Sequence, residues 1–464
     1  MLDLQTAHDW VAHSRMHGRA DAHFDGISTD TRTVRAGDLF IALQGDNFDA
    51  HQFLDQAVQA GAAGLVVSAL PVRMPDVPLL QVPDTRVALG ALAAGWRRRF
   101  ACPLVAVTGS NGKTTVKEMI AAILAAHAGA EAVLATRGNF NNDVGVPLTL
   151  LRLREAHRLG VVEMGMNHPG EIVRLATMAR PEVALVLNAQ REHQEFMDGP
   201  EATALENGQV FAGLADGGIA VFPADDACTP IWQALSAGRR VLNFAQVETL
   251  DGAQEAAVVA LREARPDGFE ARIGDERLGL RLQIAGRHNV RNALAAAACA
   301  HALGVPAQAI ARGLAAFAPV KGRLCRRALA DGVQLVDDTY NANPDSMRAA
   351  IDVLADMPAP RLLVMGDMGE TGEQAAAFHR EVGVHARQQG IEQIWAVGHD
   401  MQAAAEAAGA GARHWSTVDE VLAAQPGLPA GVASVLVKGS RFMRMERIVD
   451  AWAEGPGPAQ AGEH

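Results

Sequence analysis

The stretch between residues 103 and 124 constrains the fold of this chain more than any other. It opens with the apolar run "PLVAV", which is typical of a buried strand, and continues with "TGSNGKTT" at 108–115. Beyond that loop, apolar residues recur at the spacing of one helix face, at Val116, Met119, Ile120, Ile123 and Leu124. A strand, a glycine-containing loop and an amphipathic helix in this order predict an α/β fold built on a parallel sheet.

The loop itself predicts a phosphate-binding site. Gly109 and Gly112 allow a tight turn in which backbone amides and the helix N-terminus face an anion. Lys113 can reach the outer phosphates of a nucleotide, and the Thr114 hydroxyl can ligate Mg²⁺. Val107 stands where the common G-x-x-x-x-G-K-[ST] pattern has its first glycine, so this loop is a short version. An ordinary strand-to-helix turn with a chance lysine is the alternative, but such a turn needs neither two glycines nor Lys-Thr-Thr. We therefore predict that ATP or a similar nucleotide binds here.

The length of the chain indicates three domains, since 464 residues are available at about 150 residues per domain. Apolar strand-like runs alternate with Ala- and Leu-rich helical segments through most of the sequence. We predict a smaller N-terminal α/β substrate domain over 1–100 and a central domain with a P-loop ATPase-type parallel sheet over 101–318. A C-terminal Rossmann-like domain is predicted over 319–464.

Charge and composition exclude several classes of partner. The net charge is −12, from 41 basic and 53 acidic side chains, and no long run of Lys or Arg is present, which disfavours a nucleic-acid partner. No stretch reaches the roughly 18 uninterrupted apolar residues of a membrane span, so we expect no membrane insertion. Four widely spaced cysteines fit a reducing compartment. These features predict a cytoplasmic protein, which we take to be a monomer.

Polar residues at the ends of apolar runs are candidates for metal and phosphate contacts. Glu163 ends one run, where a Mg²⁺ ligand opposite the phosphate loop would lie, although such an acid can equally be solvated. His193 follows another run and is either a metal or phosphate contact or a surface histidine. Arg323 could neutralise a transferring phosphoryl group or simply lie in solvent. Asp338 ends a third run before "NANPDS", which helix capping explains in part.

Seven motifs in order along the chain resemble the Mur ligase family of ATP-dependent amide-forming enzymes of peptidoglycan synthesis. They are "STDTR" (28–32), "TGSNGKTT" (108–115), "GNFNNDVGVPLTLL" (138–151), "VEMGMNHPGEI" (162–172), "GRHNVRNALAA" (286–296), "DDTYNANPDSM" (337–347) and "VMGDMGE" (364–370). The short phosphate loop is itself a trait of that family. The resemblance spans nearly the whole chain. It implies phosphoryl transfer from ATP to the terminal carboxylate of UDP-N-acetylmuramoyl-tripeptide, followed by attack of the amine of D-alanyl-D-alanine.

The resemblance also implies roles for individual residues. Catalytic roles would belong to Lys113, Glu163, His193, Arg323 and Asp338. ATP would be bound by Thr108, Gly109, Ser110, Asn111, Gly112, Lys113, Thr114, Thr115, Asn289, Asn292, Arg323 and Asp338, with the two asparagines at 289 and 292 reading the adenine. Mg²⁺, the implied cofactor, would be held by Thr114, Glu163 and His193. The UDP-linked substrate would contact Ser28, Thr29, Asp30, Thr31, Arg32, Asn141 and Asn142.

One position departs from the family pattern. Many relatives carry a lysine that is modified to a metal-bridging carbamate in a segment of the form A-K-G-E-I-F, whereas this chain reads "LENGQVF", with Asn207 at the lysine position. Asparagine cannot be carbamylated, so a second metal would have to be bound through Glu192, Glu195 or Glu206, or be held less tightly. We expect a variant active site and not a lost activity, because the other ATP-side motifs are intact.

Three alternative functions remain open from the sequence. A sister ligase that adds the third amino acid shares the ATP motifs, although "DDTYNANPDSM" and "EMGMNHPGEI" favour the dipeptide-adding reaction. A P-loop kinase of small molecules would not need the asparagine turn at 289–292 or a separate C-terminal domain. A non-catalytic nucleotide-binding scaffold would not need Lys113, Glu163 and Asp338.

Overall fold

The computed structural model describes residues 1–45, 48–192, 194–195, 197–250, 258–261, 268–329 and 332–454. The chain divides into two compact units. The first comprises 1–107, 128–184 and 209–219, and the second comprises 108–127, 185–208 and 220–464.

Strands and helices alternate through most of the chain, as the sequence predicts. Residues 1–100 contain β1 (Leu2–Asp3), α1 (Leu4–Trp10), β2 (Arg15–His17), β3 (His23–Phe24), β4 (Gly26–Ser28), β5 (Asp38–Ile41), β6 (Gln44–Gly45), β7 (Phe48–Asp49), α2 (Leu54–Gln59), β8 (Gly64–Val67), β9 (Leu79–Gln81) and α3 (Thr85–Arg97). Residues 101–318 contain β10 (Leu104–Thr108), α4 (Lys113–Ala128), β11 (Val133–Ala135), α5 (Gly145–Leu150), β12 (Leu159–Glu163), α6 (Glu171–Ala179), β13 (Val183–Val186), α7 (Gly199–Gly208), β14 (Ile219–Pro223), α8 (Thr229–Leu235), β15 (Arg240–Val247), β16 (Val258–Leu261), β17 (Phe269–Ile273), β18 (Glu276–Leu280), α9 (Arg287–Ala302) and α10 (Ala307–Ala316). Residues 319–454 contain β19 (Cys325–Ala328), β20 (Gln334–Asp338), α11 (Pro344–Ala355), β21 (Arg361–Gly366), α12 (Ala375–Gln388), β22 (Gln393–Val397), α13 (Gln402–Ala408), β23 (Ala412–Trp415), α14 (Val418–Ala424), β24 (Ser434–Lys438) and α15 (Glu446–Glu454). Short 3-10 helices lie at Ala50–Phe53, Ala130–Ala132, Gln209–Gly213, Gly372–Gln374 and Arg441–Met443.

Two groups of mostly parallel strands organise the first unit. One is a five-stranded sheet in the order β2-β9-β8-β5-β4, in which the edge strand β2 is antiparallel and the other strands are parallel. Its core includes Phe40, Leu65 and Leu79, all with no exposed surface. The other group contains β11, β12 and β10, which are parallel. In this group Glu163 pairs in register with Val107, so it lies level with the residue that precedes Thr108.

In the second unit, α4 follows the phosphate loop directly. All five apolar residues of its predicted stripe have no exposed surface, so the helical periodicity is confirmed. Helix α10 packs closely against α4, because a Cβ on Gly313 would lie 2.3 Å from the Cα of Ile123. Burial of this face anchors the helix whose N-terminus borders the loop.

A hairpin in the second unit adds antiparallel strand pairs to the predicted parallel pattern. Strands β15 and β16 are parallel, but β17 pairs antiparallel with both β16 and β18. The chain reverses between β17 and β18 at Gly274, whose φ of +57° suits a residue without a side chain.

The C-terminal part of the second unit is a six-stranded sheet in the order β19-β20-β24-β21-β22-β23. Strand β19 is an antiparallel edge, and the other five strands are parallel. Its core includes Trp395, Ile448 and Trp452, each no more than 3% exposed. The alternating β and α order with a parallel sheet is the Rossmann-like arrangement predicted for this region.

No helix of the described residues is long and apolar enough to cross a membrane. The exact domain limits at 100 and 318 stay predictions.

Candidate active site

The phosphate loop requires its two glycines. Gly109 and Gly112 have φ values of +131° and +88°, a region that favours glycine. Space requires glycine as well, since a Cβ on Gly109 would lie 2.9 Å from the Cβ of Leu187. A Cβ on Gly112 would lie 2.7 Å from Oδ1 of Asn292. The loop is therefore closely packed on both sides of Ser110 and Asn111.

The polar segment that follows β13 holds the loop backbone. The side chain of Asn188 accepts a hydrogen bond from the Asn111 N–H (3.0 Å) and donates one to the Asn111 carbonyl (3.0 Å). The N–H of Gln190 donates to the Ser110 hydroxyl (2.9 Å), and Gln190 Oε1 accepts from the side-chain amide of Asn111 (2.6 Å). These bonds fix the loop at Ser110 and Asn111.

Helix α7 provides a further contact to the loop. Oδ1 of Asn207 accepts hydrogen bonds from the Thr108 hydroxyl (2.5 Å) and from the Gly109 N–H (3.1 Å). Asn207 is 1% exposed. The position at which the resemblance implies a lysine in relatives thus holds an acceptor for the phosphate loop.

Lys113 lies over the loop that it follows. Its Nζ donates to the carbonyls of Gly109 (2.5 Å) and Ser110 (2.9 Å) and to Oε2 of Glu192 (3.2 Å). The side chains of Lys113 and Glu192 are only 16% and 8% exposed, so their attraction is weakly screened. Thr114, in the first turn of α4, is also buried. Thr115 beside it is 6% exposed. Glu192, which the sequence offers only as a possible metal ligand, is a direct partner of Lys113.

The asparagine turn at the start of α9 packs against the same loop. The amide of Asn292 is the group that a side chain on Gly112 would strike. Asn289 accepts from Asn292 Nδ2 at Oδ1 (2.9 Å) and donates from its own Nδ2 to the Ala285 carbonyl (2.6 Å). Both asparagines are buried. The structure therefore brings them to the loop, whereas their contact with adenine stays a prediction.

Arg323 and Asp338, the two site residues predicted near the start of the C-terminal region, have different surroundings. Asp338 Oδ2 pairs with Lys438 Nζ (2.7 Å), and its Oδ1 accepts from the Leu324 N–H (3.1 Å). The guanidinium of Arg323 lies over the ring of Tyr340, 4.1 Å from the ring centroid. Its Nε is buried and has no hydrogen-bond partner within the described ranges. Asp338 is thus committed to Lys438, while Arg323 has a donor to offer.

Sequence reasoning did not identify Arg191. Its guanidinium donates to Asp345 Oδ1 (2.6 Å) and to Glu381 Oε2 (2.7 Å), and its backbone N–H donates to Asp345 Oδ2 (2.9 Å). Glu381 and Asp345 raise the pKa of Arg191, and Arg191 in turn lowers the pKa of Glu381. The one sequence signal is that Arg191 belongs to the polar cluster after β13. Arg191 thereby joins that cluster to α11 and α12.

In the first unit, Glu163 is 1% exposed, so the alternative of a solvated strand-end acid is wrong. Its Oε1 accepts from Asn141 Nδ2 (2.9 Å), and its N–H donates to the Thr136 hydroxyl (3.0 Å). Asn142 is exposed, and its Oδ1 accepts from the Gly145 N–H (2.9 Å) at the start of α5. Asn141 therefore orients Glu163, and Asn142 binds the backbone N–H of the first residue of α5.

The "STDTR" motif forms a polar turn at the end of β4. The buried Ser28 hydroxyl donates to the Asp30 carbonyl (3.1 Å), and the Arg32 guanidinium donates to Asp30 Oδ2 (2.6 Å). The Arg32 hydrogen bond lowers the pKa of Asp30 to about 2. Thr29 and Thr31 are half-buried, and Arg32 is exposed. A charged, partly open turn of this kind can contact a polar ligand.

The structure describes two of the three predicted Mg²⁺ ligands, Thr114 and Glu163. His193 lies outside the described residues. Over the part of the chain that the structure describes, no group of three or more His, Cys, Asp and Glu side chains could hold a metal ion. Glu163 belongs to the first unit, and Thr114 to the second. A buried carboxylate and a buried hydroxyl are nevertheless oxygen donors of the type that Mg²⁺ prefers, and Mg²⁺ takes its remaining oxygens from phosphates and water.

Three family models match successive parts of the chain. They are described as "Mur ligase family, catalytic domain" at 23–97, "Mur ligase middle domain" at 107–300 and "Mur ligase, glutamate ligase domain" at 322–441. The chain belongs to the Mur ligase family. The resemblance inferred from the seven motifs is confirmed.

Relatives within the Mur ligase family match nearly the full length. The chain is 41% identical to UDP-N-acetylmuramoyl-tripeptide--D-alanyl-D-alanine ligase of Escherichia coli (strain K12), over 94% of this chain and 95% of that protein. It is 39% identical to the ligase of the same name from Haemophilus influenzae, over 95% and 96%.

Solved structures of the family have the same fold. A crystal structure of MurF from Acinetobacter baumannii superposes with a TM-score of 0.87 at 34% identity, covering 98% of this chain and 99% of that one. MurF ligase from Thermotoga maritima in complex with ADP superposes with a TM-score of 0.79 at 27% identity, covering 92% and 97%. The predicted three-domain α/β class is therefore confirmed.

Proposed function

We propose that the chain is an ATP-dependent, ADP-forming ligase that adds D-alanyl-D-alanine to UDP-N-acetylmuramoyl-tripeptide in peptidoglycan precursor synthesis. The observation that carries the proposal is the closely held phosphate loop, with Lys113 at its end and a buried acidic partner beside it. It occurs in a chain whose relatives at 41% and 39% identity are named for this reaction.

The proposed reaction has two steps. A terminal carboxylate oxygen of the tripeptide attacks the γ-phosphorus of ATP, the bond to the β,γ-bridging oxygen breaks, and ADP leaves. The amine of D-alanyl-D-alanine then attacks the carbonyl carbon of the acyl phosphate, the nitrogen loses a proton, and inorganic phosphate departs. Phosphoryl transfer of this type depends on positioning and charge neutralisation more than on covalent help.

Two cationic side chains are proposed to act on the phosphates. Lys113 would bind the outer phosphates, since Glu192 and the loop carbonyls keep its Nζ at the loop. Arg323 would neutralise the transferred group, because its guanidinium lies over the ring of Tyr340 and its Nε has no hydrogen-bond partner within the described ranges. Asp338, the last residue of β20, would hold Lys438, the last residue of the neighbouring strand β24.

Mg²⁺ is the proposed cofactor, and Thr114, Glu163 and His193 are proposed to hold it. When bound, Mg²⁺ supplies positive charge to phosphate oxygens. The carboxylate of Glu163 suits this role because it is buried and oriented by Asn141. If a second ion binds, its ligands would be Glu192, Glu195 or Glu206.

Further residues are proposed to contact the adenine and the UDP-linked substrate. Asn289 and Asn292 would read the adenine, and the UDP-linked tripeptide would contact Ser28, Thr29, Asp30, Thr31, Arg32, Asn141 and Asn142. We also propose a monomer that acts in the cytoplasm, in line with four cysteines that are all free thiols.

Phosphate release from ATP tests the function. Purified protein is incubated with Mg-ATP and UDP-N-acetylmuramoyl-tripeptide, with and without D-alanyl-D-alanine. The released phosphate is measured, and the products are identified by mass spectrometry. Release that depends on both substrates, with a joined pentapeptide product, is expected. In a separate reaction with the UDP-linked dipeptide precursor and a single amino acid, a joined product would indicate the sister ligase. In the first reaction, a stable phosphorylated product would indicate a kinase. No turnover in either reaction would indicate a scaffold.

A further inference from the structure

One side-chain oxygen of α7 accepts two hydrogen bonds from the start of the phosphate loop. Oδ1 of Asn207 accepts from both Thr108 and Gly109, which are consecutive residues where β10 passes into the loop. The Gly109 N–H can only donate, so the amide atom that faces it must be the oxygen of Asn207 and not the nitrogen. The Thr108 hydroxyl donates to the same oxygen. The orientation of the Asn207 amide is therefore determined by its partners.

We propose that Asn207 is a positioning residue for nucleotide binding, which holds the start of the phosphate loop as a neutral hydrogen-bond acceptor. It acts through Thr108 and Gly109 and not by touching ATP. The inference rests on the proposed use of ATP.

The loop needs such a contact at Gly109. This residue has φ of +131° and no side chain, so its backbone has a wide choice of conformations. Its N–H is the group that can fix the orientation of the peptide at the turn. A buried N–H without an acceptor would be costly, which favours the conformation that meets Asn207.

The helix that carries Asn207 is itself firmly held. Trp232 of α8 donates from Nε1 to the Ala204 carbonyl of α7 (3.0 Å), and Trp232 has no exposed surface. Gly208, the next residue after Asn207, packs so closely that a Cβ there would lie 2.4 Å from Leu235 Cδ1. Asn207 is thus presented by a fixed helix, which a positioning residue requires.

The side-chain chemistry at 207 is restrictive. A lysine has donors only and could not accept from Thr108 or Gly109. An aspartate could accept both bonds but would bring a buried negative charge towards a loop that binds phosphates. Asparagine supplies the acceptor without the charge. Its Nδ2 is buried and has no hydrogen-bond partner among the described residues, so Oδ1 is the atom through which the side chain contacts the loop.

A set of four variants tests the role. N207A removes the acceptor, T108V removes one donor while keeping the β-branched shape, and T108S keeps that donor. T203V is the matched control, because Thr203 is a fully buried residue of the same helix whose hydroxyl donates within the helix to the Gly199 carbonyl (3.2 Å). The dissociation constant of Mg-ADP is measured by calorimetry well below the unfolding temperature, and kcat and KM for ATP are measured separately.

We expect the variants to change nucleotide affinity more than the turnover rate. N207A and T108V raise the dissociation constant of Mg-ADP and the KM for ATP by about tenfold with a smaller change in kcat. T108S, which keeps the donor, is impaired less than T108V, and T203V stays within about twofold. The double variant N207A/T108V is less impaired than the product of the single effects, because both remove the same bond.

Other outcomes would overturn the inference. If N207A folds and binds Mg-ADP like the unmodified protein, Asn207 does not position the loop. If N207A does not fold, the comparison of T108V with T108S decides, and equal nucleotide affinities in those two variants reject the role. Failure of the unmodified protein to bind Mg-ADP would instead contradict the proposed function.

Discussion

Two arginines of the second unit, Arg191 and Arg323, differ in what surrounds their charge. Arg191 is shared between Asp345 and Glu381, so its donors are committed to carboxylates. Arg323 lies over the face of Tyr340, and an aromatic face stabilises a guanidinium without using its N–H groups. The first arginine therefore joins parts of the structure, while the second can donate to an incoming anion. Position in the sequence does not distinguish them, since both lie in polar segments.

Replacing Arg323 should impair chemistry more than folding. R323A is expected to lower kcat by about 100-fold, because the proposed neutralisation of the transferred phosphoryl group by Arg323 is lost, with little change in the thermal unfolding midpoint. The control is R326A, which removes an exposed arginine of β19 and should leave turnover unchanged. Equal rates for R323A and R326A in the phosphate-release assay would contradict a role for Arg323 in the reaction.

At the scale of elements, the start of α9 combines a histidine with the asparagine turn. Burial lowers the pKa of His288, with Asp338 acting to raise it and Lys438 to lower it. Nδ2 of Asn289, identified as the donor by its bond to the Ala285 carbonyl, lies 3.1 Å from His288 Nε2. A donor facing Nε2 requires an unprotonated ring nitrogen, so the contact favours the neutral imidazole.

The neutral state of His288 predicts a pH dependence of stability. The folded pKa lies below the ordinary value of about 6.5, so between these values the unfolded chain binds more protons and the unfolding free energy falls as pH falls. The thermal unfolding midpoint should therefore drop between about pH 7.5 and about pH 5.5, and H288Q should reduce that drop. H399Q, which changes an exposed histidine whose pKa is raised by Asp400, is the control and should not reduce it. An equal drop in H288Q and the unmodified protein would exclude His288 as its source.

At the scale of the whole molecule, features that depend on neighbouring residues are predictable from the sequence. Contacts between segments that are distant in the sequence are not. The loop glycines, the α4 stripe and the alternating elements depend on local patterns, and the structure bears them out. The partners of Arg191 lie 154 and 190 residues away, and no local pattern relates them. For the same reason Asn207 is recognised from sequence only as a missing lysine. Its contact with Thr108 spans 99 residues.

Within the second unit, another such connection joins the phosphate loop to α11. Asn343 Nδ2 donates to Asn111 Oδ1 (2.9 Å), and Asn111 Nδ2 donates to Asn343 Oδ1 (3.3 Å), across 232 residues of sequence. Asn343 is also the N-cap of α11, where it accepts from the Ser346 N–H (2.8 Å). One side chain therefore serves both the C-terminal sheet region and the loop.

Two substitutions should separate the two roles of Asn343, which are its contact with Asn111 and its capping of α11. N343D keeps an acceptor for the helix cap but cannot donate to Asn111, so it should weaken Mg-ADP binding by about three- to tenfold with an unchanged thermal midpoint. S346A removes the hydroxyl that accepts from the Asn343 N–H (3.0 Å) and leaves Asn111 untouched, so it should lower the midpoint without weakening nucleotide binding. Calorimetric titration and thermal unfolding of the two variants measure both effects. The opposite pattern, or nucleotide affinity unchanged in N343D, would show that the loop does not depend on its contact with α11.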